Sequence, residues 1–264
     1  MNSRYKQEVQ KFGKKDGIIA IGVFLVYIIT AMAFVALRGI LSLSWQLNVL
    51  FTIATTTFQA GIVFAIVLRN KQGLASIGLH KGKLWPAVRL GLLVSLIPIV
   101  FSAVLPGIYG GFNELLIGTL LVNLVTTFFF AAHEDVVFVG FIQTRLYGFF
   151  KTDKVAITVG AILFALMHIP LWLMVGNFDS NNLLLGIGLN FMGWFLMHFI
   201  FVSVFKKHYS LAPVFILHTI ANYSWNFAQT PIVFGIDFSL VRLGLLVLVA
   251  CVLFWHTHNK NPGG

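Results

Sequence analysis

Five polar residues with acid, base or amide side chains stand inside otherwise apolar stretches of the chain. The acids Glu134 and Asp135 are adjacent, and His168 and His218 lie in later apolar stretches. Asn222 follows His218 by four residues, which places the two on one face of a helix. Ionisable groups within a bilayer are costly and mark functional sites, so this set predicts a buried polar centre.

A glutamate, two imidazoles and an amide are sufficient to hydrolyse a peptide bond. Glu134 is the candidate general base, because a carboxylate in apolar surroundings can take a proton from water. One imidazole can orient that water, while the second imidazole and the amide donate hydrogen bonds to the oxyanion that develops. We therefore expect Glu134, His168, His218 and Asn222 to be catalytic and Asp135 to support them.

Other hydrolytic arrangements fit the sequence less well. His133 and Glu134 begin like the zinc motif H-E-x-x-H, but Val137 occupies the position of its second histidine. No serine stands in a G-x-S-G setting, and no aspartate stands in a G-x-G-D sequence. The expectation is a site with no cofactor. If the reaction instead needs a divalent metal such as zinc, the ligands are Glu134, His168 and His218.

The remaining polar groups of the apolar stretches have a simpler interpretation. Asn123, His198 and Asn190 are expected to form hydrogen bonds between helices, as single polar side chains in membrane helices usually do. His133 and Asp135 are intermediate, since one face of their helix is expected to point inward.

The composition identifies the kind of molecule that holds these residues. Of its 264 residues, 58% are hydrophobic and 10% are charged, whereas soluble domains carry about 25% charged residues. The single Cys251 rules out an internal disulfide. The net charge of +10 is spread in short clusters between apolar runs, which indicates membrane topology and no nucleic-acid partner. The sequence predicts an all-α polytopic membrane protein.

Hydrophobic runs of membrane-spanning length recur along the chain. A helix of about 20 residues crosses the hydrocarbon core, and a bundle of about eight such transmembrane helices is expected. The fourth run is too long for a simple crossing, so it should tilt, break or project from the membrane. The predicted spans are residues 17–37, 45–68, 85–105, 115–150, 155–175, 183–205, 209–227 and 236–255.

The basic residues predict the orientation in the membrane. Of the 18 Lys and Arg residues, Arg89 and Arg242 fall inside predicted spans and Arg38 lies on one side, which leaves fifteen for the other side. Cytoplasmic loops carry such an excess, so both termini are expected in the cytoplasm, with the protein integral to a bacterial cell membrane. The predicted organisation is a cytoplasmic basic N-terminus (1–16), one transmembrane helical domain (17–255) and a cytoplasmic tail (256–264).

Three short motifs resemble those of one known family. Residues 134–143, EDVVFVGFIQ, resemble the E-E-x-x-x-R signature of the intramembrane glutamic proteases of the CAAX-processing and bacteriocin-processing family, also called the type II CAAX or Abi family. Residues 161–168, AILFALMH, are similar to its F-x-x-x-H motif. Residues 218–222, HTIAN, are similar to its H-x-x-x-[ND] motif. The resemblance covers residues 115–227.

The resemblance implies an intramembrane endopeptidase that cleaves a membrane-associated or lipidated peptide or protein. Glu134 would activate water, His168 would assist it, and His218 with Asn222 would form the oxyanion hole. The partners implied are the bilayer and the substrate.

Two positions depart from the family signature. Its second glutamate is Asp135 here, and its arginine is Val139. The resemblance implies that this arginine pairs with a neighbouring acid and braces the site. Without it, one acid should be protonated or the pair should be solvated. The departure keeps an alternative open, in which the protein is a non-catalytic bacteriocin immunity factor or membrane regulator that binds a partner.

Overall fold

The computed structural model describes residues 3–80, 82, 84–114, 117–175, 183–227, 244 and 246–247. These residues are predominantly helical, and no β-strand occurs among them. The prediction of an all-α polytopic membrane protein is confirmed.

Ten α-helices lie in the described part of the chain, and several are joined by short segments of other helix types. The α-helices are α1 Ser3–Val9, α2 Lys14–Leu41, α3 Trp45–Arg69, α4 Leu84–Ile99, α5 Leu105–Gly110, α6 Ile117–Glu134, α7 Gln143–Phe150, α8 Asp153–Val175, α9 Leu183–His208 and α10 Ala212–Tyr223. Two π-helices span Val100–Val104 and Asp135–Ile142, and two 3-10 helices span Leu74–Ile77 and Ser224–Asn226.

Six helical segments in this part of the chain are long and apolar enough to cross a membrane. They correspond to the first six predicted spans: Lys14–Leu41, Trp45–Arg69, Leu84–Ile108, Gly118–Phe150, Asp153–Pro170 and Gly186–His208. The predicted span 236–255 lies outside the described residues.

The predicted span 209–227 is shorter than expected. Its α-helix, α10, has 12 residues, and at 1.5 Å per residue it is about 18 Å long. The hydrocarbon core is about 30 Å thick, so α10 alone does not cross it. Helical geometry begins only after Ser210, with Pro213 in its first turn, and passes into a 3-10 turn at Ser224.

The fourth predicted span is one continuous helical run in which the helix type changes. Here α6 passes directly into the π-helix Asp135–Ile142, which continues as α7. We call this run, residues 117–150, the central helix. It packs against α2, α3, α8, α9 and α10, and its residues 133–148 are all buried. The expectation that one face points inward is therefore wrong for residues 133–148, which neighbours cover on every side, whereas several residues of α6 stay exposed.

The basic N-terminal stretch is folded against the bundle. The side chain of Tyr5 in α1 is fully buried, and its ring meets the edges of Phe205 and Tyr209. Burial, together with the nearby charge of Asp153, raises the pKa of the Tyr5 phenol well above its ordinary value, so the hydroxyl stays neutral. Lys206 pairs with Asp153 beside it.

Candidate active site

Two adjacent carboxylates face one imidazole at the point where α6 becomes the π-helix. The Nδ1–H of His218, on α10, donates a hydrogen bond of 2.9 Å to Oδ1 of Asp135. Nε2 of the same ring lies 3.7 Å from Oε2 of Glu134. All three side chains are at most 1% exposed. The structure thus brings three of the five predicted site residues together, with Asp135 bonded to the His218 ring and Glu134 on the other side of that ring.

Among the described residues, the side chain of Glu134 has no hydrogen-bond partner. Both of its carboxylate oxygens are buried, and Nε2 of His218 is likewise buried without a partner in that part of the chain. The 3.7 Å between them exceeds a direct hydrogen bond. Two polar groups that face each other in this way can both contact one water or one substrate atom.

His168 is held by two contacts. Its Nδ1–H donates a 2.8 Å hydrogen bond to the carbonyl oxygen of Phe164, one turn earlier on α8. Its ring stacks on the indole of Trp194 from α9, with centroids 4.0 Å apart and planes 10° from parallel. A carbonyl only accepts, so the proton of the neutral ring is on Nδ1 and Nε2 keeps its lone pair. Nε2 is thereby suited to accept a proton from water.

The ring of Phe164 lies between His168 and His218, the histidine that contacts the acid pair. Its ring lies 4.9 Å from the imidazole of His168 and 6.4 Å from that of His218, in edge contacts. The same ring lies 5.2 Å from His198. Phe164 is the phenylalanine of the F-x-x-x-H motif, and it is fully buried. This spacing places one aromatic ring among three histidines.

Asn222 is the least connected of the predicted site residues. It is half-buried on α10, one turn beyond His218. No hydrogen bond described in the structure joins its amide to Glu134, Asp135 or His168. The structure places Asn222 on the helix that carries His218, but it does not add Asn222 to the acid–imidazole contact.

Two other intramembrane histidines form hydrogen bonds between helices. Nε2–H of His198 donates to Oε1 of Gln143 over 2.9 Å, as predicted for this residue. Gly160 leaves room for this pair, since a Cβ there would lie 2.2 Å from Oε1 of Gln143. His133 turns away from the acids and shares a 2.9 Å hydrogen bond with the hydroxyl of Tyr27 on α2.

Asn190 forms no hydrogen bond to another helix among the described residues. Its amide donates to the carbonyl of Gly186 in the preceding turn of α9. The expectation of a hydrogen bond between helices is wrong for this residue, because the backbone of its own helix is nearer.

In the part of the chain that the structure describes, no arginine pairs with Glu134 or Asp135. Val139 is fully buried among apolar side chains. Arg145 is one of the fifteen basic residues that were assigned to cytoplasmic loops, but it is buried in α7. Its guanidinium lies between the rings of Phe12 and Phe141 and donates to Gln72. Ten residues separate Arg145 from Asp135, about 15 Å along a helix. Its charge does not replace the signature arginine.

The alternative metal-ligand set is not assembled. Within the described ranges, no three His, Cys, Asp or Glu side chains are grouped so that they could hold a metal ion. His168, one of the three ligands that this alternative requires, is fixed by the carbonyl of Phe164 and the ring of Trp194.

The sequence interpretation missed Trp194, Tyr27 and Gln143. A signal for Trp194 exists, because Asn190, Trp194 and His198 recur every four residues and share one face of α9. That face meets α8, where His168 lies. Tyr27 and Gln143 carry no comparable signal, since their partners come from distant parts of the chain.

The long apolar helices are those of an integral membrane protein, and they enclose a buried acid–imidazole centre. Residues 116–224 match the model of a protein family described as type II CAAX prenyl endopeptidase Rce1-like. The matched segment is therefore similar to this protease family, and it holds all five predicted site residues. Its limits agree with the 115–227 of the sequence resemblance. None of the curated proteins matches the chain.

Proposed function

We propose that the protein is an intramembrane endopeptidase in which Glu134 activates water to cleave a membrane-associated or lipidated peptide or protein. The observation that carries the proposal is the buried Glu134, whose oxygens have no partner among the described residues while His218 Nε2 stands 3.7 Å away. A buried carboxylate left without hydrogen bonds is costly to maintain, which favours a functional reason for it.

The proposed reaction uses no group from outside the chain except water. The water oxygen attacks the carbonyl carbon of the scissile peptide bond while Glu134 takes the proton that the water loses. The carbonyl oxygen becomes an oxyanion, and the tetrahedral intermediate collapses with cleavage of the C–N bond. Glu134 then returns its proton to the departing amine.

The other proposed catalytic residues act on the water and the oxyanion. His168 orients the water through Nε2, the nitrogen that its bond to Phe164 leaves unprotonated. His218 and Asn222 donate to the oxyanion, and buried donors of this kind stabilise a developing charge more strongly than water does. Asp135 supports His218 from the opposite side of the ring.

The location of the site favours a substrate that is itself in the membrane. The acid pair lies inside a helix of spanning length, and the family description names prenyl endopeptidases. We include in the proposal that the protein resides in a bacterial cell membrane with both termini in the cytoplasm, on the distribution of its basic residues.

The experiment compares three strains that produce the wild type, Glu134→Gln or Glu114→Gln at equal membrane levels. Glu114 is exposed, so its substitution repeats the same change outside the site. Membrane-associated peptides are quantified in each strain. We expect cleavage products in the wild type and in Glu114→Gln, and a loss of about 10²–10⁴-fold in Glu134→Gln. Equal product in Glu134→Gln would show that the assigned base is wrong.

One observation favours a second candidate function. Val139 stands where the family signature has arginine, which fits a member that binds a bacteriocin or a membrane partner without cleaving it. The same strains decide between the two. A biological phenotype that survives Glu134→Gln at unchanged expression supports binding, whereas its loss supports proteolysis.

A further inference from the structure

We infer that His218 carries a positive charge and replaces the missing signature arginine as the counter-ion of the acid pair, with Asp135 as the residue that positions it. This inference rests on the proposed function, because it explains how His218 can serve the oxyanion. It begins from the position of one ring between two carboxylates.

The hydrogen bond to Asp135 determines which nitrogen of His218 has its proton. When Asp135 is ionised, its carboxylate can only accept, so it takes the hydrogen bond from Nδ1–H, and a neutral ring would then have a bare Nε2 towards Glu134. A bare nitrogen accepts hydrogen bonds and cannot donate one to an oxyanion. Donation from Nε2 therefore requires a proton on both nitrogens, which makes the ring an imidazolium.

The surroundings supply the negative charge that an imidazolium needs. Among the described residues, His218 is the one basic side chain within ion-pair distance of Glu134 or of Asp135. Two buried acids without a cation are unfavourable, and buried charges are stable when they are paired and hydrogen-bonded.

Aromatic side chains cover the rest of the His218 ring, and none of the described residues places another charged group against it. Phe201 on α9 lies 4.6 Å from the ring, and Phe164 on α8 lies 6.4 Å away. The titratable groups behind Phe164 are His168 and His198, each held by its own hydrogen bond. On the side of α2, His133 bonds to Tyr27.

Position 139 explains why a histidine takes this role here. Residues four or five apart share one face in a π-helix, as they nearly do in an α-helix. An arginine at 139 would stand one turn above Asp135 and compete with His218 for its carboxylate. With valine there, His218 is the described partner of Asp135.

The test is nitrogen-15 NMR of the histidine rings in the full-length protein in detergent at neutral pH. His218→Gln identifies the His218 signals by their disappearance. We expect both ring nitrogens of His218 to be protonated in the wild type, and the ring to become neutral in Asp135→Asn. The matched control is Asp153→Asn, which alters an acid paired with Lys206 and should leave the His218 signals unchanged.

Activity gives a second readout on the same proteins. Without its Nε2–H, His218 loses the oxyanion bond, so Asp135→Asn should cleave on the order of 10²–10³-fold more slowly. A neutral His218 ring in the wild type would overturn the inference even if Asp135→Asn failed to fold. If such a protein still cleaves through Glu134, the proposed function stands and only the inference fails. Wild-type cleavage by Glu134→Gln would instead refute the proposed function.

Discussion

The helix α3 and the central helix are both apolar and long enough to span a membrane, yet they differ in what surrounds them. Within the apolar stretch that makes each helix able to span a membrane, 17% is buried in α3 and 61% is buried in the central helix. Apolar character therefore does not reveal which helix holds the site. The difference shows that the position of a helix in the bundle determines whether its polar side chains can form a reactive centre.

The hydrogen bonds of the two helices reach different neighbours. Thr52, Thr55 and Thr56 of α3 each donate to a carbonyl in the preceding turn of their own helix, and Gln59 donates to Thr30 on α2. In the central helix, Thr144 also donates within its own helix, but Asp135 bonds to α10 and Gln143 bonds to α9. Threonine hydroxyls are thus satisfied locally in both helices, whereas the central helix exchanges hydrogen bonds with several of its neighbours.

The largest effect on stability should come from truncating an aromatic ring of the central helix. Phe138 is fully buried and meets the rings of Phe24, Tyr27 and Phe164. Phe138→Ala should lower the free energy of unfolding by about 3–5 kcal/mol. Leu50→Ala is the matched change on α3, where the side chain is 62% exposed, and it should cost less than about 0.5 kcal/mol.

Thermal unfolding of both variants in one detergent measures this difference. Similar losses for Phe138→Ala and Leu50→Ala would mean that the two helices are packed alike, and the comparison would fail.

A smaller but specific effect is expected at Asn222. Asn222→Ala should reduce the cleavage rate on the order of 10²–10³-fold, which is the cost of removing one oxyanion donor, while the melting temperature changes little. Asn123→Ala is the control, because Asn123 is also half-buried but lies eleven residues, about 16 Å, before Glu134 on α6.

Rates are measured with the product-forming peptide that the strain comparison identifies. An Asn222→Ala rate equal to that of Asn123→Ala would remove Asn222 from the oxyanion hole.

Much of the site was predictable because its residues contrast with their surroundings. Glu134, Asp135, His168 and His218 are ionisable groups within apolar runs, and three motifs place them in order along the chain. The unusual length of the central helix was also anticipated, since the predicted span from 115 to 150 has 36 residues, more than one crossing needs.

Other features depend on contacts that no local pattern encodes. The burial of Asp135 beside Glu134 requires neighbours on both faces of the helix. The sequence interpretation expected an amphipathic helix, which has neighbours on one face only. The burial of Arg145 requires Phe12 and Gln72, which lie far away in the chain. The length of α10 was overestimated because apolar and aromatic residues on both flanks, such as Leu211 and Phe227, extend the hydrophobic run beyond the helix.

The most direct test of the central claim, that Glu134 activates a water molecule, is a single turnover in water enriched in the heavy isotope of oxygen. Excess wild-type enzyme cleaves the identified peptide once, and mass spectrometry locates the label. The account predicts the heavy oxygen in the new carboxylate of the product and none in Glu134. An unlabelled product, with the heavy oxygen in the side chain of Glu134, would show that this carboxylate attacks the peptide itself and would contradict the account.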